Sequence, residues 1–164
     1  MSALMDYLQG RGVTFVVIPH EDGAPDNIGP TTFSADDVVK TVVLVTTLGH
    51  ALCVIPDDRE LELDLARAAL RDAEARPATA VELERSFPDY EPGAVPPLGL
   101  FFLAPMYVDP AVISKTSVVF RAGRRGVSIA MSTKALLRDD PIVITPLTRT
   151  AAEAEANVRR LPPR

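Results

Sequence analysis

Lys40 is the first residue whose position suggests chemistry. It ends the stretch "SADDVVK", residues 34–40, which predicts the start of a helix with Ser34 as its cap and two acids in the first turn. An apolar run at 41–47 follows and predicts a strand. A lysine at such a junction can reach into a cleft and bind a phosphate or a carbonyl oxygen. Taken alone, it is more often a surface lysine near a helix end, where a cation is favoured.

The loop "EPGAVPPLGL", residues 91–100, contains two glycines and three prolines, which is more than a simple turn requires. Glycine lets the backbone approach a ligand closely, whereas proline fixes φ and removes an N–H donor. The remaining N–H groups of such a loop could face a carbonyl oxygen that becomes negative during ester hydrolysis. The alternative is a rigid connector that crosses the surface.

A third candidate is the turn "RAGRRG", residues 121–126, between two predicted strands. It places Arg121, Arg124 and Arg125 close together and could form a local phosphate clamp. The alternative is a turn whose charged side chains are simply solvated, which is the commoner case for such a run.

The usual catalytic motifs are absent, since the sequence contains no GxSxG, HExxH or CxxC pattern. Cys53 lies inside an apolar run and is predicted to be a small buried hydrophobic residue. His20 and His50 fit surface positions better than catalytic bases. No pattern indicates a metal site or a cofactor. If the protein is an enzyme, its nucleophile is therefore water or a group of the substrate.

The composition bounds the class of protein that must position these residues. The 164 residues suit one domain, and the net charge of −5 argues against broad DNA or RNA binding, so any nucleic-acid contact should be local. The single cysteine fits a reducing compartment. Residues 1–12 are amphipathic and include an acid, and no apolar run is long enough for a membrane span. We expect a cytoplasmic protein without a membrane partner.

The order of predicted elements indicates the α+β class. Residues 13–19 predict a strand, and two hairpins are predicted around "LGH" and "AGRRG". A helix is expected after Asp57 as its cap, and a second after Thr79, in each case with a Glu three residues later. Hairpins imply antiparallel pairs in a mixed sheet with helices packed on it. We expect one domain over residues 1–149 and a polar tail over 150–164.

Taken in order, four stretches resemble one known family: "VVKTVVLVT", "GAVPPLGL", "YVDPAV" and "VVFRAGRRGVSI". They resemble the YbaK/ProX family of free-standing aminoacyl-tRNA editing domains, which is related to the insertion domain of bacterial prolyl-tRNA synthetase. The resemblance runs from about Leu4 to Leu137. It implies a single α+β domain with a mixed, mostly antiparallel, partly barrel-like sheet and surrounding helices. It also implies hydrolysis of the ester that joins a wrong amino acid to the 3′-terminal adenosine of a tRNA.

The resemblance further implies roles for individual residues. Lys40 occupies the position of a near-universal lysine of the family, whose implied role is to hold the terminal nucleotide of the tRNA. Residues 93–97 match the family's G-x-x-x-P loop, which faces the aminoacyl carbonyl. The implied catalytic residues are Lys40, Gly93, Ala94, Pro97 and Gly99. The implied substrate-binding residues are Asp109, Arg121, Gly123, Arg124, Arg125 and Ser128. No metal or other cofactor is implied, and the expected partner is the aminoacyl-tRNA 3′ end, not DNA.

The sequence departs from the family pattern in places that concern specificity. Residues 20–32 replace an Ala-rich helix of many relatives. Relatives that act on cysteinyl-tRNA often have Ser and an acid where this chain has Arg121 and Ser128. The amino acid, the tRNA and any synthetase that delivers the substrate therefore stay open. The alternative function is a non-catalytic module of the same fold that binds a nucleotide or a tRNA end. Release of amino acid from mischarged tRNA distinguishes the two.

Overall fold

The computed structural model describes residues 2–19, 33–138, 140–150 and 152–153. Within these residues it has six α-helices, one 3-10 turn and eight strands in a single mixed domain, as the sequence predicts. The helices are α1 (Ser2–Gly10), α2 (Leu63–Leu70), α3 (Ala80–Ser86), α4 (Gly99–Phe102), α5 (Pro110–Ile113) and α6 (Thr133–Leu137). The strands are β1 (Phe15–Pro19), β2 (Val39–Thr46), β3 (Gly49–Pro56), β4 (Arg76–Pro77), β5 (Met106–Val108), β6 (Ser117–Arg121), β7 (Val127–Ser132) and β8 (Ile142–Ile144).

The strands form two sheets. One sheet has the order β1-β7-β6 and is antiparallel throughout. The other has the order β4-β2-β3-β5-β8, with antiparallel pairs from β4 to β3 and parallel pairs from β3 to β8. A parallel bridge between Val38 and Val119 joins them. Most strand pairs are antiparallel, as predicted for the mixed sheet, and among the described strands the sheets do not close into a barrel.

The main core lies where the helices cover the sheets. Leu4 and Leu8, four residues apart on α1, are fully buried together with Leu52 of β3 and Phe120 of β6. This spacing puts both leucines on one face of the helix, so α1 packs by the apolar stripe that its sequence predicts. Burial of Leu and Phe side chains contributes roughly 1.5–3 kcal/mol each.

Both predicted hairpins form. Thr46 pairs with Gly49 across a two-residue turn, which sets the register of β2 against β3. Arg121 pairs with Ser128 at the base of the second hairpin. The capping box predicted at Thr79 also forms, because the Thr79 N–H donates to the Glu82 carboxylate at 3.0 Å and the Glu82 N–H donates to the Thr79 hydroxyl at 3.2 Å.

Two predicted helix starts differ in the structure: Ser34 caps a short 3-10 turn in place of an α-helix, and Asp57 caps no helix. The stretch after Ser34 makes only a 3-10 turn, and Val38 is already extended, so Lys40 lies inside β2 instead of at a helix end. The β-branched residues that follow fit the ladder with β3, and strand pairing outweighs the capping signal. Asp57 caps no helix, since α2 begins at Leu63. Its carboxylate accepts from Arg121 instead, 64 residues away.

Strand β5 is confined to Met106–Val108, because residues 100–102 of "LFFLAPMYV" belong to α4. Of the polar tail over 150–164, only residues 150 and 152–153 are described, and the loop at 20–32 lies outside the described residues. In the part of the chain that is described, no helix is long and apolar enough to cross a membrane.

Candidate functional site

The first half of β2 borders an open cleft. The two-residue strand β4 pairs only with Leu44 and Val45, so the preceding residues of β2 have no strand partner from β4 on that edge. A cleft of about 630 Å³ lies there, bounded by β2, the segment after β3, and residues 77–95. Its apolar lining includes Val43, Ala78 and Val95.

Backbone groups at this edge of β2 point away from β3. The Val43 carbonyl accepts from the Ala78 N–H at 2.9 Å and therefore points away from β3. Because residues of an antiparallel ladder alternate in direction, the backbone groups of Thr41 point the same way. Thr41 lines the cleft, so the strand edge offers a donor and an acceptor to a ligand.

Lys40 lines this cleft and is largely covered, with 23% of its side chain exposed. Its ammonium lies 3.6 Å from the carboxylate of Glu60, whose side chain is 93% exposed. An ion pair with so exposed a partner is worth about 1 kcal/mol or less. An anionic ligand could therefore replace Glu60 at the Lys40 ammonium at little cost.

A second cation–anion pair lies on the same wall. Arg121 donates to Asp57 at 3.3 Å, with 17% and 29% of the two side chains exposed. Arg125 lines the cleft as well, so Lys40, Arg121 and Arg125 give it three cations against two carboxylates. A cleft in which cations outnumber carboxylates can bind a phosphate if the ion pairs to Glu60 and Asp57 break, so that the phosphate takes the place of the carboxylates.

The loop "EPGA" makes a turn whose form explains its composition. The Ala94 N–H donates to the Glu91 carbonyl at 2.9 Å, and Gly93 has φ +86°. A type II turn places Pro in the second position and requires positive φ in the third, where glycine is favoured. Pro92 and Gly93 meet both requirements. The loop is stiff because a fixed turn and two buried prolines hold it.

Two amides of this loop are free to bind a ligand. Among the described residues, the N–H groups of Gly93 and Val95 have no hydrogen-bond partner, and both residues line the cleft. The other loop amides are unsuitable, because Ala94 donates within the turn and Leu98 donates to the Pro96 carbonyl at 2.9 Å. A Cβ at Gly93 would meet nothing within 4 Å, so space is open beside this residue.

The structure does not bring every predicted site residue to the cleft. Ala94, Pro97 and Gly99 are buried in or behind the loop. A Cβ at Gly99 would lie 2.8 Å from the Ala104 carbonyl oxygen, so this glycine serves close packing. Ser128 is buried on β7 beside Arg121 and does not line the cleft.

Asp109 lies apart from the cleft, and its carboxylate has a structural set of donors. One oxygen accepts from the Ala111 N–H at 2.8 Å and caps α5. The other accepts from the Leu147 N–H at 2.9 Å and from the N–H and hydroxyl of Thr148 at 3.0 and 2.9 Å. The buried carboxylate thus holds the 147–148 segment, which leaves it little capacity for a substrate.

Gly123 and Arg124 face a different hollow. Together with Glu84, Asp89 and Glu91 they line a second cleft of about 590 Å³ on another side of the 91–94 turn. The acids around Arg124 make this hollow a poor site for phosphate. Of the three arginines in the turn, Arg121 and Arg125 are therefore the ones that share a cleft with Lys40.

Sequence reasoning missed Asp57 and Glu60 as site residues. Asp57 was expected to cap a helix, although it follows directly after the buried strand β3, a common position for a site residue. Only the pairing of β2 with β3 and the approach of β6 show that both acids face the cations. Cys53 is buried as predicted, and burial raises the pKa of its thiol to about 12, so it is unsuited to act as a nucleophile.

Comparison with known proteins identifies the family of this chain. The model of the aminoacyl-tRNA editing domain family matches residues 29–138. A search among curated proteins finds no significant match.

Solved structures share the fold. One is a putative trans-editing enzyme for prolyl tRNA synthetase, with a TM-score of 0.77, 22% identity, and coverage of 91% of this chain and 96% of that one. A hypothetical protein gives a TM-score of 0.74 and 22% identity over 90% and 99% of the two chains. A scaffold protein for grafted linear epitopes gives 0.75 and 20% identity over 91% and 96%. At these identities the similarity shows the fold alone.

Proposed function

Because this chain belongs to the aminoacyl-tRNA editing domain family, we propose that it is a trans-acting deacylase that hydrolyses the ester of a mischarged aminoacyl-tRNA. The observation that carries this proposal is the arrangement of the cleft. Lys40 lines the same cleft as Gly93 and Val95, although more than 50 residues separate it from them in the sequence.

These groups suit ester hydrolysis by water. Attack of water on the aminoacyl carbonyl carbon makes the carbonyl oxygen negative, and the amides of Gly93 and Val95 would stabilise that charge. The bond from the carbonyl carbon to the ribose oxygen then breaks. The ribose oxygen takes a proton from the attacking water, and a free amino acid and a tRNA hydroxyl result. Cys53 takes no part, because its thiol is buried and protonated.

The cations would position the nucleic acid. Lys40, Arg121 and Arg125 can contact phosphate oxygens of the terminal nucleotides, while the loop faces the ester. Charge that is confined to one cleft suits an acidic protein, since it allows local contact without general affinity for nucleic acid.

The partner and location extend the proposal. One protein of the same fold is a putative trans-editing enzyme for prolyl tRNA synthetase, so we propose tRNA charged by that synthetase as the first substrate to test. A cytoplasmic location, which we expect from the sequence, would place the protein with this substrate. The amino acid removed is left to the assay.

The test is release of amino acid from a panel of mischarged tRNAs by the wild-type protein and by Lys40→Ala. We expect Lys40→Ala to lower kcat/KM by about 10- to 100-fold, because a hydrogen bond to a charged group is worth roughly 1.5–3 kcal/mol. Glu60→Gln is the matched control, since it removes the exposed partner of Lys40 and should leave turnover equal or higher. Tight tRNA binding by the wild-type protein without release of amino acid would instead support the non-catalytic binding module.

A further inference from the structure

Gly123 is bonded to both ends of the 91–94 turn. Its N–H donates to the Ala94 carbonyl at 2.8 Å, and its carbonyl accepts from the Glu91 N–H at 2.8 Å. These two bonds attach the turn that contains Gly93 to the hairpin between β6 and β7. They use both backbone groups of one residue, which has φ +89°.

The position leaves no space for a side chain. A Cβ on Gly123 would lie 2.9 Å from Cδ1 and 3.3 Å from Cε1 of the Tyr90 ring. That ring is held by edge-to-face contacts with Phe102, at 5.1 Å between centroids, and Phe101, at 6.3 Å. Since Cβ contacts below about 3 Å are not tolerated in proteins, a larger residue would have to displace the packed ring of Tyr90, the residue that precedes the 91–94 turn.

We propose that Gly123 is a positioning residue for the cleft, and this inference rests on the proposed deacylase function. It does not line the cleft, but it holds the turn that contains Gly93 and directly precedes Val95, the two residues with free amides. The same hairpin carries Arg121 and Arg125. Gly123 therefore sets the distance between the cations that hold the nucleic acid and the amides that face the ester.

The test compares Gly123→Ala with Gly49→Ala. Gly49 also has positive φ, at +123°, and a Cβ there would meet nothing within 4 Å, so this control shares the backbone strain without the contact. We expect kcat of Gly123→Ala to fall by at least about 10-fold with KM nearly unchanged, because displacing a catalytic group by about 1 Å can cost 10²-fold. Gly49→Ala should keep the wild-type kcat.

Amide hydrogen exchange without substrate supplies an independent readout. In the wild-type protein the Glu91 and Gly123 amides should exchange slowly and those of Gly93 and Val95 quickly. In Gly123→Ala the Glu91 amide should lose its protection. If Glu91 exchanges as fast as Gly93 in the wild-type protein, or if Gly123→Ala keeps the wild-type kcat, the positioning role is wrong.

The two proposals can fail separately. Absence of deacylation by the wild-type protein overturns the proposed function, whereas the exchange of the Glu91 amide still decides whether Gly123 holds the turn. Measurement of the wild-type protein alone is enough for that decision, so the test does not depend on the folding of a variant.

Discussion

Replacing Gly93 by valine tests whether the loop takes part in the reaction. Gly93 has φ +86°, a conformation that costs a residue with a side chain about 1–2 kcal/mol. No atom lies within 4 Å of an added Cβ, so strain and not collision sets the loss of stability. For a chain of this size 1 kcal/mol corresponds to about 2–4 °C, and we expect Tm to fall by about 2–8 °C.

The expected effect on turnover is much larger. The new side chain would occupy open space on a residue that lines the cleft, where it would keep the ester from the Gly93 and Val95 amides. Loss of one donor to a developing oxyanion costs about 10²- to 10³-fold in kcat. We therefore expect deacylation of mischarged tRNA to fall by about 10²-fold or more.

The assay measures Tm and single-turnover deacylation on the same preparation of Gly93→Val and Gly49→Val. Both glycines have positive φ and open space around them, but Gly49 lies in the β2–β3 turn. The control should lose a similar amount of stability and no activity. A folded Gly93→Val protein with wild-type turnover would refute the amide hypothesis, and the loop would then be a connector.

Three further predictions concern charge and burial. Changing both Arg121 and Arg125 to Gln should make the plot of the logarithm of the tRNA association constant against log[salt] less steep by about 1.4, since each single-strand phosphate contact contributes about 0.7 to the slope. An unchanged slope would exclude the two arginines as phosphate ligands. Asp109→Asn should lower the free energy of unfolding, measured with denaturant, by about 3 kcal/mol, because the buried Asp109 carboxylate accepts hydrogen bonds from backbone N–H groups. Turnover of the folded variant should be unchanged. A raised KM with wild-type stability would instead support a role of Asp109 in substrate binding. The hydrogen bond from the Arg76 guanidinium, and to a smaller extent that from the Thr79 N–H, lowers the pKa of Glu82 from 4.5 to about 2, so this acid should stabilise the fold above pH 4.5 and lose that effect as the pH falls towards 2. The Tm of Glu82→Gln should therefore vary less with pH than the wild-type Tm over that window. Parallel plots of Tm against pH for the two proteins would contradict the assignment.

Local chemistry made part of this protein predictable from its sequence. The capping box at Thr79 and Glu82 forms as expected because its bonds join residues three apart. The Pro92–Gly93 pair specifies a turn with positive φ at the glycine, since proline suits the second position and glycine the third. Cys53 is buried because it lies within the apolar strand β3, whose neighbouring residues are buried too.

Only the tertiary structure decided which charged residues share the cleft. The capping signals at Ser34 and Asp57 are local, but Ser34 caps only one 3-10 turn before β2 pairs with β3, and Asp57 accepts from Arg121 instead. The resemblance grouped Asp109 with the arginines, whereas the fold uses its carboxylate to hold a segment 38 residues further along the chain.

Tertiary packing also decides two other features. It leaves two amides of the loop free, and it puts the Tyr90 ring so close to Gly123 that a side chain there would collide with it. Tyr90 and Gly123 meet because the 91–94 turn docks on the second hairpin, which no spacing in the sequence indicates. The physical reason is the range of the forces that decide each feature. Caps and turns depend on neighbours a few residues apart, whereas a cleft depends on sheet register and on which distant side chains can be buried together.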